Sequence, residues 1–384
     1  MRIIINTLST KKKTGGAFQI AYNFLSESLS DTNNDIEWFY FTSSDLDEAL
    51  GEKFEKLRDK KYFVFPTQPD FRGSYKSVKA QIALLEDKIH PDLIYSITAP
   101  SYFSFKAVEV MRFTNPWVAH PNKYAWDSLP FKSRVKTWLY CINQKRLIKG
   151  TNYFVTQAEA TKQGLLRITG VPTKNIKVVP NVLPSVFSTI DNSKSTKSDN
   201  WIDIACVGTA MSHKNIIIVP EVIRCLEQKY GVRNVRFHLT INPDKDVSQR
   251  IFKKIEQCDV SDRIINHGHV SQVQLAEIYK QCDICFLPTL LEVFSATSLE
   301  AMYFKLCIVA TDFFFNKLVV GDAGLYCKPN DASDSAEKIY SLISNGVLRQ
   351  ELAEKMEKQL KKYNDHTGHF ESIVSFLTEI IKEK

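Results

Sequence analysis

The chain has 384 residues, 44% hydrophobic and 24% charged, with 50 Lys or Arg against 43 Asp or Glu and a net charge of +7. That length provides two or more domains with cores of their own, and the composition is that of a soluble globular protein. No run reaches the ~18 consecutive apolar residues of a spanning helix, which argues against a transmembrane segment.

The first residues, MRIIINTLST, read as a strand. They lack the basic start, apolar core and small-residue cleavage site of a signal peptide, which predicts a cytoplasmic protein. The loop that follows holds Gly15 and Gly16 and opens a helix with apolar positions at Phe18, Ala21, Tyr22 and Leu25. Glycines there permit close backbone approach to a phosphate, although on its own the pair reads first as an ordinary turn. Further strands are predicted at 36–41, 61–66, 92–97, 117–120 and 153–157, with helical stretches between them, and this alternation predicts parallel sheets. The strand at 117–120 ends in His120, either a ligand contact or a structural imidazole. Residues 101–180 hold thirteen Lys or Arg against three acids, so one basic surface faces something anionic. Within it, 132–149 reads as a helix, either core-packed with a solvated cationic face or a peripheral contact with anionic membrane.

Near 190 the texture turns polar and aperiodic, as in a linker. A second alternating series follows at 202–208, 235–241, 284–288 and 307–312. The expected division is 1–190 for an N-terminal Rossmann-like domain, 201–365 for a second, and 366–384 for an amphipathic helix packing back on the first.

In the second series, Gly208 leaves a strand and leads to Lys214 at a helix start, where a cation and backbone donors suit phosphate. Two carboxylates, Glu292 and Glu300, stand eight residues apart after the 284–288 strand. On one helix they would sit about 80° apart, sharing neither one face nor opposite faces, so a strand, loop and helix reading fits better. Thr297 to Glu300 matches a capping box, which predicts a helix start near Ser298 with Glu292 in the loop before it. The backbone N–H groups of Ser295 to Ser298 would then open toward an anion. The plainer reading makes Glu300 only a cap and Glu292 a solvated residue.

Other chemistries lack their signatures. There is no P-loop, no H-E-x-x-H and no G-x-S-x-G. Cys282 and Cys285 form a lone C-x-x-C without partners at zinc spacing. The triplets Asp45-Leu46-Asp47 and Asp244-Lys245-Asp246 fall in polar segments and read as solvated rather than metal-binding.

Together these elements resemble the retaining GT-B glycosyltransferases of family 4, the glycosyl transferases group 1, over essentially the whole chain. The resemblance rests on the glycine loop, His120, residues 156–181, the Gly208 turn, residues 277–288, the Glu292/Glu300 pair around Phe294, and residues 308–312 and 321–329. It implies two Rossmann-like domains facing across a cleft and transfer of a sugar from a nucleotide-diphosphate sugar, with no metal or other cofactor. It also implies a glycan or lipid-linked acceptor in cell-surface polysaccharide synthesis, at the inner face of a bacterial membrane.

By the same resemblance His120, Lys214 and Glu292 are catalytic. Gly16, Gly208, Thr209, Phe294, Ser295, Ala296, Thr297 and Glu300 bind the donor, with Glu300 on the ribose and the loop amides on the phosphates. Two residues depart from the pattern: Thr209 stands where an arginine is usual, and Ser295 where a glycine is usual. The first raises the alternative of a non-catalytic binding protein with the same fold. A nucleic-acid partner is not expected, because no recognition motif accompanies the basic span.

Overall fold

The computed structural model describes residues 1–11, 16–66, 74–195, 199–363 and 366–383. Its strands are short and apolar, as strands covered on both faces must be. Seven form the first sheet: β1 (Arg2–Asn6), β2 (Glu37–Ser43), β3 (Tyr62–Phe65), β4 (Leu93–Ser96), β5 (Val108–Arg112), β6 (Tyr153–Thr156) and β7 (Ile176–Val178). Six form the second: β8 (Ile202–Cys206), β9 (Val235–Leu239), β10 (Ile264–Asn266), β11 (Ile284–Leu287), β12 (Cys307–Thr311) and β13 (Gly324–Cys327). Neighbouring strands pair in parallel, in the orders β3-β2-β1-β4-β5-β6-β7 and β10-β9-β8-β11-β12-β13. Each order reverses direction once, between β1 and β4 and between β8 and β11. At such a switch point the loops leaving two adjacent strands diverge and open a crevice.

The chain divides into two compact units. Met1–His120, Thr137–Pro180 and Thr367–Lys384 make the first, and Pro121–Lys136 with Asn181–His366 make the second. The observed division differs from the expected 1–190, 201–365 and 366–384 in that a short segment after His120 belongs with the second sheet. Asn122 donates to the carbonyl of Leu290 at 2.7 Å, and the ring of Tyr124 meets that of Phe313 at 5.8 Å. The polar stretch after 189 is tethered as well. Asn192 donates to the Tyr303 carbonyl at 2.8 Å, and the Ser195 amide to that of Lys280 at 3.1 Å.

In the first unit, Ile3 and Ile5 of β1 and Tyr95 of β4 face a cluster built by Phe24 and Leu25 of the helix Gly16–Leu29. The C-terminal helix His366–Lys382 adds Ile373, Leu377 and Ile380 to that cluster. Ile4 and Ile94 face the other way, onto Val78 and Ile82 of the helix Tyr75–Ile89. Each buried side chain of this size contributes about 1.5–3 kcal/mol.

The stretch 117–120 is no strand. Asn115 accepts from the Trp117 amide at 3.1 Å and Pro116 occupies the first turn, so Pro116–Ala119 is a short helix and His120 follows it. Cap and proline outweigh the apolar pattern here, and β5 supplies the strand upstream. The helix Glu159–Thr169 crosses so closely that a Cβ on Gly164 would lie 2.2 Å from the Ala119 carbonyl oxygen. Its Thr161 hydroxyl lies 3.2 Å from His120 Nε2. Backbone cannot yield cheaply, so Gly164→Ala is expected to lower stability by about 1–3 kcal/mol. Urea denaturation with an unchanged midpoint would refute the close crossing.

Candidate active site

The switch point of the second sheet brings two loops together. After β8 the chain passes through Gly208, whose φ of +147° only glycine adopts without strain, and into a turn at Ser212–Lys214. After β11 it runs through Thr289 to Ser295. The Leu290 amide donates to the His213 carbonyl at 2.7 Å, and the Leu290 carbonyl accepts from Asn122. The Thr311 hydroxyl at the end of β12 donates to the Thr289 carbonyl. Held from three sides, the loop sets Glu292 Oε1 2.9 Å from Lys214 Nζ, in an ion pair whose side chains are each 21% exposed. The other oxygen of Glu292 is buried with no hydrogen-bond partner among the described residues, and so is the Ser298 hydroxyl.

The helix that follows is Ala296–Tyr303, with Ser295 as its N-cap and no side-chain cap bond. The expected capping box at Thr297 to Glu300 is therefore absent, because the helix begins two residues earlier and Glu300 turns inward. Ser271 and Gln274 form a capping box instead, on the helix Gln272–Gln281. Glu300 is buried and accepts from the Tyr279 hydroxyl at 2.7 Å. Burial raises its carboxyl from 4.5 to about 7, opposed by the Tyr279 bond and by Lys214 and reinforced by Glu292. The three charged groups thus share one field. Neighbouring His213 is kept neutral, its pKa lowered to about 3 by burial and by Lys214.

The remaining expected residues are placed as follows. Thr209 is exposed, and Ala296 and Thr297 are half-buried at the helix start. Phe294 and Ser295 are buried, with the Phe294 ring packed on Tyr363 at 5.5 Å. The Phe294 side chain is thus a core anchor, and only its backbone faces the loop's chemistry. Two residues belong to the first unit. Gly16 is the exposed first residue of its helix, while Gly15 lies outside the described residues. His120 is neutral, lowered to about 4 by burial and by Arg167. Sequence reading missed Tyr279, whose signal was a hydroxyl placed on the apolar face of a helix.

Residues 188–363 match the family described as glycosyl transferases group 1. That segment is a glycosyl transferases group 1 domain. No curated protein sequence matches the chain. Solved structures share its fold. A glycosyltransferase from Rickettsia africae aligns with a TM-score of 0.71 at 16% identity, over 100% of this chain and 99% of its own. HepE from Anabaena, in complex with UDP and glucose, aligns at 0.70 and 15% identity, over 99% and 100%. TarM from S. aureus, a mutant with Fondaparinux, alpha-GlcNAc-glycerol and UDP, aligns at 0.66 and 12%, over 98% and 99%. The fold is GT-B, and domain and fold together support glycosyl transfer as the activity.

The Glu300 carboxyl gives this domain a pH signature. Between 4.5 and about 7 the folded chain holds a proton that the unfolded chain has released, so this group's contribution to stability falls as pH rises through that window. Glu300→Gln removes the titration. Relative to wild type, its stability is expected to rise by on the order of 1–3 kcal/mol between about pH 5 and about pH 8. Parallel denaturation profiles for the two proteins across that range would contradict it.

Proposed function

We propose that the chain is a retaining, metal-independent transferase of family 4. On this reading it binds a nucleotide-diphosphate sugar in the second unit and passes the sugar to a glycan or lipid-linked acceptor in cell-surface polysaccharide synthesis. The observation that carries the proposal is the switch-point cluster: the Lys214–Glu292 pair beside two buried polar atoms without partners, Glu292 Oε2 and Ser298 Oγ. A folded chain leaves such atoms unmatched where a ligand supplies the partner. They flank the start of the helix Ala296–Tyr303, which has no side-chain cap and whose dipole suits a phosphate.

In this reading Lys214 meets the charge that grows on the departing diphosphate, Glu292 addresses the sugar ring and Glu300 the ribose hydroxyls. Thr209 brings no charge, so the diphosphate depends on Lys214 and on backbone donors at the helix start. His120 and Gly16 keep, as part of the proposal, the roles that the resemblance gives them. The UDP complexes of HepE and TarM and the acceptor-like ligand of TarM support donor and acceptor classes of this kind. Release of nucleoside diphosphate from a panel of nucleotide sugars tests the reading. Lys214→Ala is expected to slow release roughly 100-fold or more, and Glu292→Ala to abolish most of it. Nucleotide binding without any release, in wild type as in Glu292→Ala, would favour a non-catalytic binding protein instead.

A peripheral contact with anionic membrane is part of the proposal, and the helix Phe131–Ile148 supports it. Cys141, Gln144 and Ile148 bury one face, where Gln144 donates to the Tyr102 hydroxyl at 3.0 Å. Phe131, Val135, Trp138, Leu139 and Ile142 recur at i, i+4, i+7, i+8 and i+11, so they share a face, and all are exposed, Phe131 by 79% and Trp138 by 55%. The helix thus packs by one face and leaves an apolar stripe in solvent, which packing alone does not use. Lys132, Arg134, Lys136, Lys145, Arg146 and Lys149 are exposed around the stripe, and no acid falls between them. Apolar wedge and cationic flanks suit the plane of an anionic bilayer, each cation contributing about 1 kcal/mol. Among the described residues no helix is long and apolar enough to cross one. Sedimentation with phosphatidylglycerol vesicles should recover the protein at low salt, and recovery should fall with neutral phosphatidylcholine vesicles and on changing Lys145, Arg146 and Lys149 to Gln. Equal recovery in all three cases would remove the membrane from the proposal.

A further inference from the structure

The expected function leaves one polar contact of the cluster without a role. Tyr279 is fully buried on the helix Gln272–Gln281, its ring stacked on Phe304 at 5.4 Å and its hydroxyl 2.7 Å from Glu300 Oε2. An aromatic hydroxyl is costly to bury unless it is bonded, and phenylalanine would fill the same space. The hydroxyl therefore has a task that packing does not explain. A carboxylate otherwise surrounded by apolar atoms can swing and can take up a proton. A neutral donor fixed on one oxygen counters both, because its bond to the charged form is the stronger one.

We propose that Tyr279 is the positioning residue of the donor site: its hydroxyl holds one oxygen of Glu300 and leaves the second oxygen to accept from a ligand's vicinal hydroxyls. The inference rests on the donor-site reading of Glu300. The ligand class is a nucleotide whose ribose presents its 2′ and 3′ hydroxyls. The titratable groups around the pair are Lys214 and Glu292, which act on Glu300, and the thiols of Cys282 and Cys285, which act on Tyr279. Neither thiol is in a disulfide, and both are buried. Among these groups, only the Tyr279 hydroxyl donates a hydrogen bond to Glu300.

Two measurements on the full chain test it. In protein labelled with ¹³C at the glutamate carboxyl, with Glu300→Gln identifying the signal, Glu300 titrates near 7 in wild type and at higher pH in Tyr279→Phe. UDP serves as the probe in calorimetry at about pH 6.5. Tyr279→Phe should weaken UDP roughly ten-fold in the wild-type background and change it less than about two-fold when Glu300 is already Gln. An unmoved ¹³C titration, or equal losses of UDP affinity in both backgrounds, would show that Tyr279 only packs. A Glu300→Gln variant that binds UDP as wild type does would overturn the donor-site reading, while the titration would still decide whether Tyr279 governs Glu300.

Discussion

The bond from the Leu290 amide to the His213 carbonyl ties together two loops that leave neighbouring strands and would otherwise diverge. Strand order makes it necessary. β8 continues to one side of the sheet and β11 to the other, so the loops between them share no secondary structure. Once the bond forms, Lys214 and Glu292 are brought within 2.9 Å of each other without either belonging to an α-helix or a strand. Asn122 and Thr311 brace the same loop. These supports are backbone carbonyls receiving side-chain or amide donors, so they leave the functional side chains uncommitted.

What the loops hold is locally unfavourable. A buried carboxylate oxygen and a buried hydroxyl without partners cost on the order of 1–3 kcal/mol each. Glu300 adds the cost of a carboxyl that prefers its neutral form. The apolar surroundings offset this. Leu290, Leu291, Val293 and Phe294 are buried around Glu292, and Leu299, Ala301 and Met302 around Glu300. The polar residues that matter are thus interleaved with residues that cannot move without losing core contact. That is the arrangement a preorganised site needs, since donors must not relax onto one another before the ligand arrives.

Much of this was legible in the sequence. Alternating apolar runs are the direct signature of parallel sheets, and nearly all the expected strands formed, with shifts of a residue or two at their ends. The strands missed, β5, β7, β10 and β13, are short or carry polar residues such as Glu109 and Asn266, so burial on both faces hardly shows in their pattern. Glu292 was placed in its loop because it fell between the strand expected at 284–288 and the helix start expected near Ser298. The capping box expected at Thr297 to Glu300 did not form. A capping box is a statement about four consecutive residues, whereas the actual partner of Glu300, Tyr279, lies 21 positions away on another helix. Contacts of that range leave no local pattern. His120 was assigned to a strand for the opposite reason: the apolar run was read, and the stronger local signal of Asn115 and Pro116 was not.

The departure at Thr209 gains meaning from the geometry. An arginine there would have added a second cation at the loop leaving β8, and the residue present is exposed and neutral. Lys214 cannot simply replace it, because its ammonium is engaged by Glu292. In the absence of ligand that pairing keeps each charge from standing alone in a half-buried site. A diphosphate would compete for the same ammonium and release Glu292 toward the sugar. On the proposed reading, donor binding and the freeing of Glu292 would be one event, in which the phosphate replaces the carboxylate as the partner of Lys214. A second cation beside Gly208 would uncouple the two by holding the diphosphate without disturbing the pair. On the proposed reading, with threonine the donor would gain its strongest electrostatic contact only by exchanging it with Glu292, so one residue outside the pair would determine how tightly binding and sugar recognition are linked.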